Sequence, residues 1–260
     1  MTTGKGPTER DMPSALRRLL ILLVLAATVA TGCGRRSATN RVTMVLFDVT
    51  AMSHTTAIRK QYLGDFTKVL DTVTAGGVIA ADIIDDNPLA HSTYPINESF
   101  DRYNPLKENK LDYERRIREK RDAVIKAAEG IVRRPLSGRW GTSVRDAMQL
   151  AERAFAAFGG DQKLLVVFSS MIEQSRRYDF TGENLTAARI GQIIARERAA
   201  QLLPDLQGVE VCVVGAGATG PDGPSTEKLL SIRNFWLQYF KAAGANLPPE
   251  RYGSAFLKCP

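Results

Sequence analysis

The residues Val42-Thr43-Met44-Val45-Leu46-Phe47-Asp48 form an apolar run that ends at a carboxylate. A short run that is apolar on both faces is typical of a buried strand in a parallel sheet. Three more runs of this kind follow along the chain, at 78–84, 163–169 and 209–214. Together the four runs predict a parallel sheet that is covered by other elements on both sides.

Stretches with helical periodicity separate these runs. They predict helices at about 54–73, 108–133, 142–159, 185–203 and 225–243, with Thr142 or Ser143 capping the third. Strands that alternate with helices through right-handed crossovers favour a three-layer α/β/α sandwich with a doubly wound, mainly parallel, Rossmann-like sheet. We expect the first strand to lie centrally in that sheet, between the second and the third.

An insertion is predicted around 87–135. Its first part, at 88–105, is rich in turn residues and has no clear period, so we interpret it as irregular chain with room for a short edge strand. A long charged helix completes the insertion. Near the end of the chain, 254–257 is a candidate for one more short strand.

The N-terminus has the layout of a secretory signal. Arg17 and Arg18 precede the apolar run 19–30, and the small residues Ala30-Thr31-Gly32 lead directly to Cys33. The run is shorter than the roughly 20 apolar residues that a membrane-spanning helix needs. A cysteine directly after small residues matches the lipobox of bacterial lipoproteins, so we predict that Cys33 is lipidated.

This interpretation divides the chain into three parts. Residues 1–33 are the signal peptide, with Met12 as the better start, 34–40 are a polar tether, and 41–260 are the folded domain. The protein would then be lipid-anchored in the bacterial cell envelope, outside the cytoplasm. Gly34, next to the lipidated cysteine, gives no sign of an aspartate-type inner-membrane retention signal, which favours the outer membrane in a cell that has one.

The chain has three cysteines. Lipidation would use Cys33 and leave Cys212 and Cys259, which an oxidising compartment would allow to pair. A disulfide closing a loop of that length stabilises a fold by roughly 4 kcal/mol on the chain-entropy account. Cys212 also lies in an apolar strand, where free cysteine is a common core residue. Both alternatives stay open at this stage.

The formal net charge is +7. Many of the basic residues lie at 113–122. Acidic residues are interspersed among them at helical spacing, as on a solvated helix face. A nucleic-acid-binding site typically has a stripe of basic residues with exposed aromatic residues, and this run shows neither clearly. We therefore expect no nucleic-acid binding. The sequence also lacks a glycine-rich phosphate loop and a Gly-x-Ser-x-Gly elbow.

Three short motifs carry a resemblance to a known family. Asp48-Val49-Thr50-Ala51-Met52-Ser53 follows the first strand, Gly141-Thr142-Ser143 opens a helix, and Val166-Val167-Phe168-Ser169-Ser170-Met171 ends a strand. The ordered set resembles a von Willebrand factor type A domain over about 41–257. Ser-Met-Ile-Glu at 170–173 is similar to the Asp-Met-Ile-Glu variant of bacterial members.

The resemblance implies a metal-ion-dependent adhesion site, in which a partner's carboxylate completes the shell of Mg²⁺ or Mn²⁺. The residues that it assigns to this site are Asp48, Thr50, Ser53, Thr142 and Ser170. Met52 stands where the family has a second hydroxyl, and Ser170 stands where it has an aspartate, so the site is expected to be degenerate. Candidate supporting acids are Asp85, Asp86 and Glu173. In the alternative interpretation, Asp48 and Thr142 only cap loop amides.

We therefore predict a membrane-anchored, extracytoplasmic protein-binding module that is not an enzyme and whose partner lies in the cell envelope. The alternative is a hydrolase or another enzyme that uses the crevice at the carboxyl ends of the strands. The chain has two histidines, His54 and His91. His54 could pair with Ser170, although no acid at a known spacing would orient it. His91 is interpreted as a loop residue.

Overall fold

The computed structural model describes residues 40–50, 55–133, 141–219, 223–256 and 259. The predicted signal peptide with Cys33 and the predicted tether up to residue 39 lie outside the described residues, and so do Met52, Ser53 and His54. Among the described helices, none combines the length and the apolar character that crossing a membrane would require.

The described residues form one mixed sheet. Its strands are β1 (Arg41–Asp48), β2 (Val78–Ile84), β3 (Ile96–Ser99), β4 (Gln162–Phe168), β5 (Val209–Val214) and β6 (Tyr252–Gly253). They lie in the order β3-β2-β1-β4-β5-β6. Only β3 is antiparallel to its neighbour among these strands. The mainly parallel sheet and the central position of the first strand are thus confirmed.

Helices cover both faces of the sheet, which confirms the three-layer arrangement. They are α1 (Thr56–Asp71), α2 (Pro88–His91), α3 (Lys110–Val132), α4 (Val144–Phe158), α5 (Ala187–Ala199) and α6 (Thr226–Ala242). Buried residues of α1 and α3 share one hydrophobic core with one face of the sheet. Those of α4, α5 and α6 share a second core with the other face.

Strand β1 shows why the apolar run has no polar side. Val45 and Phe47 belong to the core beneath α1 and α3, whereas Met44 and Leu46 belong to the core beneath the other three helices. The ring of Phe47 stacks on that of Phe168 in β4, with 5.1 Å between the centroids. Each fully buried side chain of this size contributes about 1.5–3 kcal/mol, so both faces must be apolar.

Side-chain caps determine where four of the helices begin. Thr55, Asn109, Thr186 and Ser225 each accept a hydrogen bond from the amide three residues further on, before α1, α3, α5 and α6. Such a cap is typically worth about 1 kcal/mol. Helix α4 differs, because Ser143 at its N-cap makes no side-chain cap.

The insertion is more regular than the sequence suggested, and the last short strand lies earlier than predicted. The turn-rich segment contains α2 and the short antiparallel strand β3. The last described strand is Tyr252–Gly253, two residues that pair with β5. Of the strand predicted at 254–257, residues 254–256 are not in a strand and 257 lies outside the described residues. Cys212 and Cys259 form a disulfide, with 5.7 Å between their Cα atoms, a separation within the usual range for disulfides.

Candidate functional site

Three strands of the sheet end around one point. Strand β1 lies between β2 and β4, so successive connections run to opposite sides of β1 and the strand order reverses there. In open α/β sheets ligands bind outside the carboxyl ends of the strands at such a switch point. Asp48 lies opposite Ile84, and Phe47 lies opposite Phe168. Asp85 and Ser169, the residues that follow the neighbouring strands, are thereby brought beside Asp48.

A hydrogen-bonded network, here called the Asp48 network, occupies the switch point. One carboxylate oxygen of Asp48 accepts from the Thr50 amide at 3.0 Å and from the Thr50 hydroxyl at 2.6 Å. The other accepts from the Ser169 hydroxyl at 2.7 Å. Thr142 Oγ1 donates to Thr50 Oγ1 at 2.8 Å. None of the four residues is more than 8% exposed. The buried carboxylate therefore accepts three hydrogen bonds, two on one oxygen and one on the other.

The structure brings together three of the residues that the resemblance assigned to the site, Asp48, Thr50 and Thr142. Ser170 is close by, but its hydroxyl accepts from the Ile172 amide at 3.4 Å, and it is Ser169 that reaches Asp48. Sequence reasoning missed Ser169. The register would have found it, since aligning the ends of the first and third apolar runs places position 169 opposite position 48.

The turn after β4 has an unusual backbone conformation that holds Ser169 in place. Met171 has a φ of 63°, in the left-handed region that residues other than glycine rarely adopt. Its amide donates to the Ser169 hydroxyl at 2.9 Å, and its carbonyl accepts from Trp236 Nε1 at 2.7 Å. Surrounding hydrogen bonds thus offset the local strain, as is common where a turn serves a site.

Glu173, predicted as a possible supporting acid, is buried at the start of α4. Its Oε2 accepts from the Arg145 amide at 2.9 Å, so the side chain caps α4 from another part of the chain. The predicted capping hydroxyl, Ser143 Oγ, instead donates to Asp146 at 2.9 Å. Complete burial raises the pKa of Glu173 to about 7, although the Arg145 amide and the Ser175 hydroxyl favour the charged form.

A buried ionic cluster lies behind the N-terminus of α4. Arg145 pairs with Glu197 of α5, and each side chain is only 1% exposed. The Tyr178 hydroxyl donates to Glu197 at 2.9 Å, and the Arg145 guanidinium lies 5.6 Å from the Tyr178 ring centroid. Asp146 adds a second carboxylate, 2.6 Å from Arg145. The cluster connects α4 to α5. It also connects both helices to Tyr178, which lies in the segment between β4 and α5.

A second group of polar residues follows β2. Asp85 Oδ2 lies 2.7 Å from His91 Nδ1, and Asp85 Oδ1 accepts from the Asn87 amide at 2.9 Å. Asp86 belongs to the same group, since Asp85, Asp86 and His91 each place one ligand atom within 4.8 Å of the others. His91, interpreted from sequence as a loop residue, ends α2 and joins this group.

A cavity of about 450 Å³ opens near the carboxyl ends of the strands. It is lined by Asp86, Asn87, His91, Ser143, Asp146, Ser175, Arg176 and Arg177. We call it the polar cavity. Acidic residues and the two arginines face the same space, so the lining can accept and donate hydrogen bonds to a polar partner. Beyond Ser170, a smaller recess of about 320 Å³ is more apolar and includes Leu229 and Tyr252.

Comparison with known proteins assigns no family to this arrangement. No protein-family model matches the chain, and a search of curated proteins finds none that is significantly similar to it.

Proposed function

We propose that this protein is a lipid-anchored, extracytoplasmic binding module, similar to a von Willebrand factor type A domain with a degenerate metal-ion-dependent adhesion site. A protein of the cell envelope would be its partner. The observation that supports the proposal is the lining of the polar cavity, which comes from the segments that follow β2 and β4 and from the start of α4. Ser143 in this lining is the neighbour of Thr142 in the Asp48 network. Polar side chains converging at a switch point are typical of a binding site.

The proposed degeneracy of the metal site rests on the Asp48 network. Mg²⁺ usually keeps one or two carboxylates among its oxygen ligands. Here Thr50 and Ser169 already satisfy the Asp48 carboxylate, and Ser170 offers a hydroxyl where a second carboxylate would stand. An ion bound there would displace the hydrogen bonds from Thr50 and Ser169 to Asp48. Asp48 would be the one negatively charged ligand that the network offers it. We therefore expect the network to bind Mg²⁺ or Mn²⁺ weakly at best, and the surrounding surface to recognise the partner.

The path of the chain fits an anchored module. Asn40 precedes β1 at the amino-terminal edge of the sheet, where its carbonyl accepts from the Asp161 amide just before β4. The polar cavity lies near the carboxyl ends of the strands. The eight residues of β1 separate the two edges by about 26 Å at the usual strand rise. A chain tethered through its N-terminus would thus present the polar cavity away from the membrane.

The anchor is tested by Cys33→Ala. We expect this variant to lose lipidation and to accumulate as a larger, unprocessed precursor, because the cysteine is the proposed acyl acceptor. Each buried CH₂ of an acyl chain contributes about 0.8 kcal/mol, so the acyl chains would hold the processed wild-type protein at the membrane. Intact-mass spectrometry of the mature wild-type protein is the measurement. An unmodified Cys33 in that protein would rule out the anchor.

Partner binding is tested by charge reversal at the polar cavity. Arg176 is exposed on its lining, so Arg176→Glu should reduce capture of an envelope protein by tagged, membrane-extracted protein at least tenfold. Arg198→Glu is the matched control, because Arg198 is an exposed arginine near the end of α5, at the opposite edge of the sheet. Equal capture by wild type and both variants would argue against the polar cavity as the binding surface.

A hydrolase is the second candidate. The pair of Asp85 and His91 favours it, because a carboxylate 2.7 Å from Nδ1 is the arrangement that orients a general base. Ser143 and Ser175 line the same cavity. A serine-reactive fluorophosphonate that labelled wild-type protein, but not a His91→Gln variant, would support this second candidate over the binding module.

A further inference from the structure

We propose that Asp85, Asp86 and His91 form a binding site for a divalent transition-metal ion of the Zn²⁺ class. This site is separate from the Asp48 network and does not depend on partner binding. The carrying observation is the convergence of one imidazole and two carboxylates, whose ligand atoms all lie within 4.8 Å of one another.

The ligand set fits such an ion chemically. Imidazole nitrogen and carboxylate oxygen both bind zinc at about 2.0–2.2 Å. Two ligands of one ion can then be at most about 4.4 Å apart, so small side-chain movements would close the site. The ion would take the place of the proton that His91 Nδ1 and Asp85 Oδ2 share across 2.7 Å. A histidine selects against Mg²⁺ and Ca²⁺, which prefer an all-oxygen shell. Three protein ligands would leave a fourth position open, as in zinc sites that bind an exchangeable group.

The backbone around the site is held in place before any ion binds. Asp85 directly follows β2, and its carbonyl accepts from the Ser143 amide at 2.8 Å. Pro88 occupies the first position of α2, which fixes the turn between the carboxylates and His91. The His91 amide donates back to the Asn87 carbonyl at 3.3 Å. A ligand set on a fixed turn loses little entropy on binding an ion.

Charges of both signs surround the site. Asp86 and His91 line the polar cavity, and so does Asp146, which is paired with Arg145. Close carboxylates repel one another, and a bound divalent ion would relieve that repulsion. Arg176 and Arg177 line the same cavity. The open coordination position therefore suits a carboxylate, which could bind the ion and one of these arginines together.

The Asp85 side chain is turned away from the Asp48 network. Its two oxygens contact the His91 ring and the Asn87 amide, whereas those of Asp48 contact Thr50 and Ser169. An ion held by Asp85 would thus leave the Asp48 network intact. The two sites can therefore be distinguished by substitution.

The test is calorimetric titration of the purified full chain with ZnCl₂. Wild type should bind one ion, and His91→Gln and Asp86→Asn should each lower the affinity by roughly 100-fold, as loss of a direct ligand would. His54→Gln is the matched control, since His54 is the other histidine of the chain and should not matter. Circular dichroism must show that each variant is folded.

Histidine NMR gives an independent readout. The chain has two histidines, so its imidazole signals are few, and one equivalent of Zn²⁺ should shift those of His91 and leave those of His54 in place. Three results would overturn the proposal. They are no saturable binding by wild type, unchanged affinity in folded His91→Gln, and loss of binding in folded Asp48→Asn while His91→Gln still binds. The last result would place the ion in the Asp48 network, and it would leave the partner-capture result unaffected.

Discussion

Arg145→Met is expected to lower the free energy of unfolding by about 3–5 kcal/mol. The substitution leaves the buried Glu197 without its close cationic partner, since both side chains are 1% exposed in the native protein. The half-exposed Arg177, 4.0 Å from Glu197, would be the remaining cation. Tyr178 would still donate to Glu197, but one hydrogen bond from a neutral donor does not replace an ion pair in a site from which water is excluded. Urea unfolding of wild type and variant, followed by circular dichroism, measures the difference.

Two controls separate this effect from the general cost of losing a charge. Lys110→Met breaks an exposed pair with Glu114 and should cost less than about 1 kcal/mol. The double variant Arg145→Met, Glu197→Met removes both buried charges and should recover much of the loss, because apolar residues of similar volume can replace a buried ion pair. A loss below about 1 kcal/mol in Arg145→Met would contradict the view that the cluster joins α4 to α5.

Replacing both Cys212 and Cys259 by alanine is expected to lower the free energy of unfolding by about 4 kcal/mol. The disulfide spans 47 positions of sequence, and the cross-link limits the conformations of the unfolded chain. In the native protein it fastens the end of the chain to the buried strand β5. The measurement is urea unfolding with and without a reducing agent.

The reducing agent supplies the control for the cysteine variant. Reduction should destabilise wild type towards the level of the double alanine variant and should leave that variant unchanged. If reduction left wild-type stability within about 1 kcal/mol of its oxidised value, the disulfide would not contribute as the chain-entropy account requires.

The sequence predicted the sheet well because its signals are local. Each apolar run is bounded by polar or turn residues, and the run predicted at 163–169 matches β4, Gln162–Phe168, within one residue at each end. The central place of β1 followed from the handedness of crossovers. The pairing of Tyr252–Gly253 with β5 was not predictable, because a strand of two residues has no period of its own.

The candidate site was only partly predictable, because much of it depends on distant parts of the chain. Thr142 joins Thr50 across 92 positions, and the family resemblance could indicate this pair. Nothing in the local pattern marks the pairing of Arg145 with Glu197 across 52 positions. A charged residue beside a helical apolar face ordinarily points to solvent, so burial of both partners becomes visible only in the packed structure.

The polar group after β2 shows the same limit at shorter range. Asp85, Asp86 and His91 lie within seven positions of one another in the sequence, but His91 meets the carboxylates only because α2 is a single short turn that starts at Pro88. A turn-rich segment without a period does not indicate such a geometry. The sequence therefore identified the acids but not the histidine that joins them.

Site-directed photocrosslinking in living cells tests most directly the claim that the polar cavity binds a protein partner. A photoreactive phenylalanine analogue would replace Arg176 on the cavity lining or, as the control, Arg198 at the opposite edge. If the polar cavity binds a protein partner, we expect one discrete crosslinked protein from position 176 and none from position 198. No adduct from position 176, or the same adduct from both positions, would contradict it.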